Sequence, residues 1–264
     1  MSDVRTILDF LALSERLKRE LRHCWLSDGR QESVAEHSWQ MALMALVVHR
    51  ELREPVDIEK TLKMILTHDL VEAETGDVPF FEQGERRERK AERENAAIET
   101  IRARLGDPVG EELYDLWQEY EAKETPEARF ASALDQLEVQ IQHNLADLST
   151  WTPIEYDLVY TKMDSYCAYD PFLAALCDAI KADAEAKLAT ALDHLEVQIQ
   201  HNLADLETWT RVEYDLVYTK MDAACAHEPV LAALCEGVKA EAEVKMRAGG
   251  IDVDAVKRRV GIAG

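Results

Sequence analysis

Val4, Ile7, Leu8 and Leu11 recur at helical spacing, and Leu17 and Leu21 continue that stripe, so the chain opens on an amphipathic helix. A polar loop follows over Ser27-Asp28-Gly29-Arg30-Gln31. Ser33, with Glu36 three residues on, reads as a capping box that starts a strongly apolar helix over 34–52, and Pro55 ends that region. The next helix starts near Asp57 and carries Leu62, Ile65, Leu66 and Leu70 as far as residue 73, before Gly76 and Pro79 break the chain. Residues 85–94 are almost wholly charged and read as a solvated helix face laced with i,i+4 pairs. Gly106 and Pro108 separate that face from a helix with Leu113, Leu116, Trp117 and Tyr120. Pro126 suits the first position of the following helix, which carries Asp135.

From there the sequence repeats. Ala133-Leu134-Asp135-Gln136-Leu137-Glu138-Val139-Gln140 returns as Ala191-Leu192-Asp193-His194-Leu195-Glu196-Val197-Gln198, an offset of 58. The stretch from Tyr156 to Asp164 returns from Tyr214 to Asp222, so the unit 127–184 is copied as 185–242. Solenoids take three or more units, so two near-identical copies read as a tandem duplication in a once shorter protein. No Gly or Pro falls between Phe172 and Trp209, so the last helix of copy one runs straight into the Asp193 helix of copy two. Leu195, Ile199, Leu203 and Leu206 give copy two an amphipathic face to bury, either by extending the bundle or at a subunit interface.

The chain has 264 residues, with 47% hydrophobic, 10 Gly and 7 Pro, which gives a real core and favours an all-α fold over a turn-rich β-sandwich. A net charge of -22 repels phosphate backbones, so no nucleic acid polymer is expected as a partner. A small anionic substrate remains compatible if a metal and local Arg neutralise it. Asp3, Arg5 and Asp9 exclude a signal peptide, and no apolar run reaches membrane-spanning length. Five Cys without a C-x-x-C pair read as reduced, cytoplasmic thiols.

The candidate chemistry sits in Met64-Ile65-Leu66-Thr67-His68-Asp69-Leu70. An ionised Asp beside a His amid Leu and Ile is costly to bury unpaired, and a divalent cation removes the cost. Imidazole with carboxylate suits Mn, Fe, Co, Ni or Zn better than Ca. Taken singly, such a pair has an ordinary reading as a helix-surface ion pair, His37 as a satisfied core histidine, and Glu72 and Asp135 as exposed acids. Taken together, His37, His68, Asp69 and Asp135 come from three helices and fill four positions of an octahedral ion, leaving two for water and a phosphate oxygen. Glu72, three and four residues past Asp69 and His68, shares their helical face.

Glu36-His37, His68-Asp69 and Asp135 match the H…HD…D pattern, and the chain here resembles the HD-domain phosphohydrolases. The wider motifs Glu32-Ser33-Val34-Ala35-Glu36-His37, His68-Asp69-Leu70-Val71-Glu72, Gly76-Asp77-Val78-Pro79, Glu112-Leu113-Tyr114-Asp115-Leu116-Trp117 and Ala133-Leu134-Asp135-Gln136 look like the 5′-deoxynucleotidase branch. The resemblance covers roughly residues 1–180. It implies a helical bundle around one divalent ion (Mn, Co, Fe, Zn or Mg), a homodimer, and hydrolysis of deoxynucleoside 5′-monophosphates. It also implies substrate contacts from Arg22 and Trp25, sugar contact from Asp77, and Glu72 working on the water or leaving group. Two-metal members of the superfamily use extra His between the second and last ligands, and none lies between Asp69 and Asp135, which argues against a binuclear phosphodiesterase. The alternatives are an HD hydrolase of another small phosphate ester, or a helical interaction protein whose ancestral site the duplication has impaired. The expected organisation is an HD domain over 1–184, the duplicated segment over 185–246 and a tail over 247–264.

Overall fold

In the computed structural model, which describes residues 3–219 and 229–262 without the side chains of 191–194 and 229–231, helix α1 spans Val4–Ser14. Asp3 caps it by accepting from the Arg5 amide. The stripe does not stay helical to Leu21. A single 3-10 turn, Glu15–Lys18, ends it and buries Leu17, and Leu21 begins strand β1 (Leu21–Trp25). β1 pairs antiparallel with β2 (Gln31–Ser33), Leu21 opposite Ser33 and Trp25 opposite Gln31, with an irregularity between. The loop between them is therefore a hairpin turn. The Leu26 amide donates to the Arg30 carbonyl at 2.7 Å, and Gly29 supplies the left-handed residue at φ 84°.

Ser33 and Glu36 form the expected capping box at the start of α2 (Val34–Val48). Helix α3 (Ile58–Thr67), capped by Asp57, stops earlier than its apolar pattern suggests. The Thr67 hydroxyl bonds the Lys63 and Met64 carbonyls, and the His68 Nδ1 takes the Ile65 carbonyl at 2.7 Å that the next helical amide would use. Tight turns carry the chain to the short helix α4 (Glu72–Thr75), which Gly76 ends at φ 74°. After α5 (Glu85–Glu88) come α6 (Lys90–Leu105), α7 (Val109–Ala122) and α8 (Pro126–Leu145), the last capped by Thr125 with Pro126 at its first position. The charged run is not solvated throughout: Glu94, paired with Lys90 at 3.0 Å, is buried.

The chain divides into two compact units, 1–146 with 158–180, and 147–157 with 181–264. In the first, α2, α3, α7 and α8 enclose a core of Met41, Ala45, Met64, Ile65, Phe130, Leu134 and Leu137. A second cluster joins Leu13, Val34, Leu70 and Ile101. Leu134 is fully buried on α8. Truncating it to Ala should cost about 2–5 kcal/mol. A thermal melt checks this, and an unchanged Tm would show that the position is less tightly packed than its burial implies.

The helix Pro171–Leu203 is continuous, as the missing Gly and Pro imply, and its 33 residues carry copy one into copy two. The second unit also holds helices Arg211–Thr219, Pro229–Ala248 and Val253–Arg259 around Trp209, Val217, Ala242, Met246 and Val256. Copy two reuses the local bonds of copy one. Gln140 donates to Asn144 and Asn144 to the Ile180 carbonyl at 2.8 Å, while Gln198 donates to Asn202 and Asn202 to the Val238 carbonyl at 2.7 Å. Of the face to be buried, Leu195 packs with Cys235 and Val238, whereas Leu203 is exposed. The fold is all-α with one small sheet among the described residues.

Candidate functional site

Three helical segments converge on one point in the first unit. The start of α2 supplies His37, the turn after α3 supplies His68 and Asp69, and the middle of α8 supplies Asp135. His37 and His68 are buried, and their rings lie 5.7 Å apart. His37 Nε2 is 3.2 Å from Asp135 Oδ1 and 4.0 Å from Asp69 Oδ2, and His68 Nε2 is 3.0 Å from Asp69 Oδ2. One ligand atom each from His37, His68 and Asp135 falls within 4.8 Å of the others. Asp135 is further held by the Tyr120 hydroxyl at 3.2 Å and the Gln136 amide at 2.7 Å, both donating to Oδ2.

The far side of each ring decides what the near side presents. His68 Nδ1 lies 2.7 Å from a carbonyl, which only accepts, so Nδ1 carries the proton. His37 Nδ1 lies 2.5 Å from Glu138 Oε2 and donates to it. In the neutral rings both Nε2 atoms are then lone pairs, buried, without a hydrogen-bond partner, and facing carboxylate oxygens. Lone pairs facing carboxylates repel unless a cation stands among them. A divalent ion fits the donor set of His37, His68 and Asp135, with the Asp69 carboxylate beside both rings. Without it, a proton must serve instead. Burial and Arg22 oppose charge on His37, yet the Glu138 and Asp135 carboxylates outweigh them and push it up to about 10. Burial likewise opposes charge on Asp69 and Asp135, but the neighbouring His and Arg22 hold both carboxyls well below the usual carboxylate range.

The other candidates group around this centre unequally. Arg22, mostly buried on β1, points Nη1 at Asp69 Oδ2 and Nε at Glu32 Oε2, each at 3.5 Å. Glu72 is buried with Oε2 unpartnered, and burial together with Asp69 and Asp77 raises its carboxyl well above the ordinary value. Asp77 is also shifted upward: burial is the largest influence, Arg22 counters it and Asp69 adds to it. The Asp77 amide donates to Glu20 Oε1 at 2.9 Å, which fixes the loop. Trp25 is half-buried at the end of β1 and gives its carbonyl to Gln142 at 2.6 Å. Among the described hydrogen bonds and ring contacts, its indole makes none with the four candidate ligands. The side chain of Asp193 lies outside the described residues.

Sequence reasoning assigned no role to Glu32, Tyr120, Glu138, Lys90 or Lys162. Glu138 had a signal, since it falls three residues after Asp135 on one face of α8. Lys90 feels burial first, but Glu94 and Glu72 raise it. Lys162 is lowered by burial, against the pull of Asp135, with Nζ 4.7 Å above the Phe80 ring. Nothing in the local sequence marks either lysine, because both meet the site only through packing.

Residues 14–169 match the HD domain family. The 5′-deoxynucleotidase HDDC2 of Bos taurus is 36% identical over 140 residues, which cover 52% of this chain and 66% of the relative. The 5′-deoxynucleotidase hdd1 of Schizosaccharomyces pombe is 32% identical over 145 residues, covering 52% of this chain and 70% of that one. A crystal structure described as a predicted metal-dependent phosphohydrolase, from Magnetospirillum magnetotacticum MS-1, superposes with a TM-score of 0.61 at 31% identity, over 70% of this chain and 94% of that chain. The chain thus spans 66% and 70% of the two nucleotidases it matches. These matches bear out the resemblance to the 5′-deoxynucleotidase branch.

Proposed function

The chain belongs to the HD domain family, and on that premise we propose that it is a metal-dependent hydrolase converting deoxynucleoside 5′-monophosphates to deoxynucleoside and phosphate. The observation that carries this reading is the pair of buried, unpartnered Nε2 atoms of His37 and His68 facing Asp69 and Asp135. These four residues would hold one divalent ion. When bound, such an ion polarises a phosphate oxygen and lowers the pKa of a coordinated water.

The remaining roles belong to the chain itself. Arg22 sits at the edge of the carboxylate cluster and would pair with phosphate oxygens, offsetting their charge. Burial and the Asp69 and Asp77 carboxylates disfavour ionisation of Glu72 and raise its carboxyl, which favours a role as proton donor. Glu72 would deliver that proton to the leaving 5′ oxygen. Replacing Glu72 with Gln should therefore lower kcat by about 10²–10⁴-fold while metal affinity is retained. A drop in metal affinity that matched the loss of rate would place Glu72 among the ligands instead.

Asp77 would read the sugar, with Trp25 bordering the nucleoside. Crowding a 2′-hydroxyl against a fixed side chain costs roughly 10²-fold in kcat/KM, so dAMP should be cleaved about that much better than AMP. The test is phosphate release from a panel of ribo- and deoxynucleoside monophosphates. Equal rates on dAMP and AMP would favour hydrolysis of another small phosphate ester, and no release from any would favour an interaction protein with an impaired site.

The same reading takes the enzyme to be cytoplasmic and homodimeric. Cys24, Cys167, Cys177 and Cys235 are buried thiols outside any disulfide, which suits a reducing compartment. The exposed Trp39, Leu43, Leu46 and Val47 on α2 support an interface. No described helix is long and apolar enough to cross a membrane.

A further inference from the structure

We infer that Glu138, backed by Glu32, is a positioning residue that fixes the tautomer of His37 and so sets the affinity of the site for its metal. The inference rests on the metal reading given above. Glu138 is fully buried, and its Oε2 accepts a hydrogen bond from His37 Nδ1 at 2.5 Å. That bond leaves Nε2 as the only ring atom able to face Asp69 and Asp135. A carboxylate on the far nitrogen also makes the imidazole a stronger donor to a cation.

Glu138 comes from the same helix as Asp135, so α8 presents one carboxylate to the centre and another to the ring behind it. The next partner is Glu32. Its ligand atom lies within 4.8 Å of those of His37 and Glu138, and its Oε2 is 3.5 Å from Arg22 Nε. A buried chain thus runs from Arg22 through Glu32 and Glu138 to His37. Arg22 in turn reaches Asp69, so the chain links the expected phosphate-binding arginine to both ends of the metal site.

Glu32, His37 and Glu138 have the ligand types of an ion site of their own. One fact argues against that use: the His37 Nδ1 is already engaged by Glu138 through its proton. Glu196 sits in the same Leu-Glu-Val-Gln sequence as Glu138, yet it is exposed. The burial of Glu138 is therefore imposed by the site and not by its local sequence.

That counterpart supplies the control. Mn(II) binding is measured by titration calorimetry on the full chain for wild type, E138A, E138Q and E196Q, with folding checked by circular dichroism. Wild type should take up one equivalent. E138A should bind about 10–100-fold more weakly. E138Q should sit at the low end of that range, because an amide oxygen still accepts from Nδ1 but lacks the charge. E196Q should match wild type. If E138A does not fold, the weaker Mn(II) binding of E138Q decides alone. Wild-type affinity in folded E138A or E138Q would overturn the inference, as would an equal loss in E196Q, or two Mn(II) equivalents per wild-type chain. A wild type that binds no Mn(II) would instead refute the metal reading itself.

Discussion

Replacing His68 or Asp69 with Ala is expected to abolish both metal uptake and phosphate release. The His68 ring is anchored on its far side by the Ile65 carbonyl, so its Nε2 is the ring atom that faces the centre and would serve as the ligand. Asp69 stands between the two rings, at 3.0 Å from one Nε2 and 4.0 Å from the other, and also receives Arg22. Removing either group leaves three ligands and changes the charge at the centre. If the ion contributes about 4 kcal/mol to the barrier, its loss costs roughly 10³-fold in rate. The two readouts should fall together, since on this reading hydrolysis depends on the bound ion. Metal affinity should also rise with pH, because His37 must surrender a proton that its surroundings otherwise hold up to about 10. A variant that keeps a full equivalent of metal and normal turnover would remove the residue from the site.

The second large effect separates the two copies. Asp135→Ala should lose at least about 10³-fold in kcat/KM by the same reasoning. Asp193→Ala should change activity by no more than about twofold, the range of a substitution away from any special feature. The case for Asp135 is geometric. Its Oδ1 is 3.2 Å from His37 Nε2, and Tyr120 and Gln136 fix its other oxygen. It also lies in the unit that contains His37, His68 and Asp69. Asp193 belongs to the second unit, on the continuous helix that leaves the first. The reverse outcome, with Asp193 essential and Asp135 dispensable, would mean that copy two completes the centre, as in a domain swap.

How much of this was legible in the sequence varied with how local the cause was. The capping box at Ser33, the proline start of α8 and the continuous helix after Pro171 follow from neighbouring residues, and each was readable. So was the set His37, His68, Asp69 and Asp135 as a motif. The hairpin was not, because Leu17 and Leu21 fall in register with the α1 stripe while the turn chemistry of Asp28-Gly29 signals only a loop. The stop of α3 at Thr67 was also hidden. It depends on the His68 side chain taking a backbone carbonyl, against the apolar pattern that runs on through Leu70. The partners behind the ligands were the least visible. Glu138 and Glu196 share their local sequence, yet one is fully buried and the other exposed. Only packing distinguishes them, and packing is where Glu32, Lys90 and Lys162 also meet the site.

The most direct test of the account is phosphate release from dAMP by chelator-treated protein, followed as Mn(II) or Co(II) is added back. The account predicts that release falls to background on chelation and returns in full at one equivalent of metal per chain. Undiminished release after complete removal of metal would contradict it.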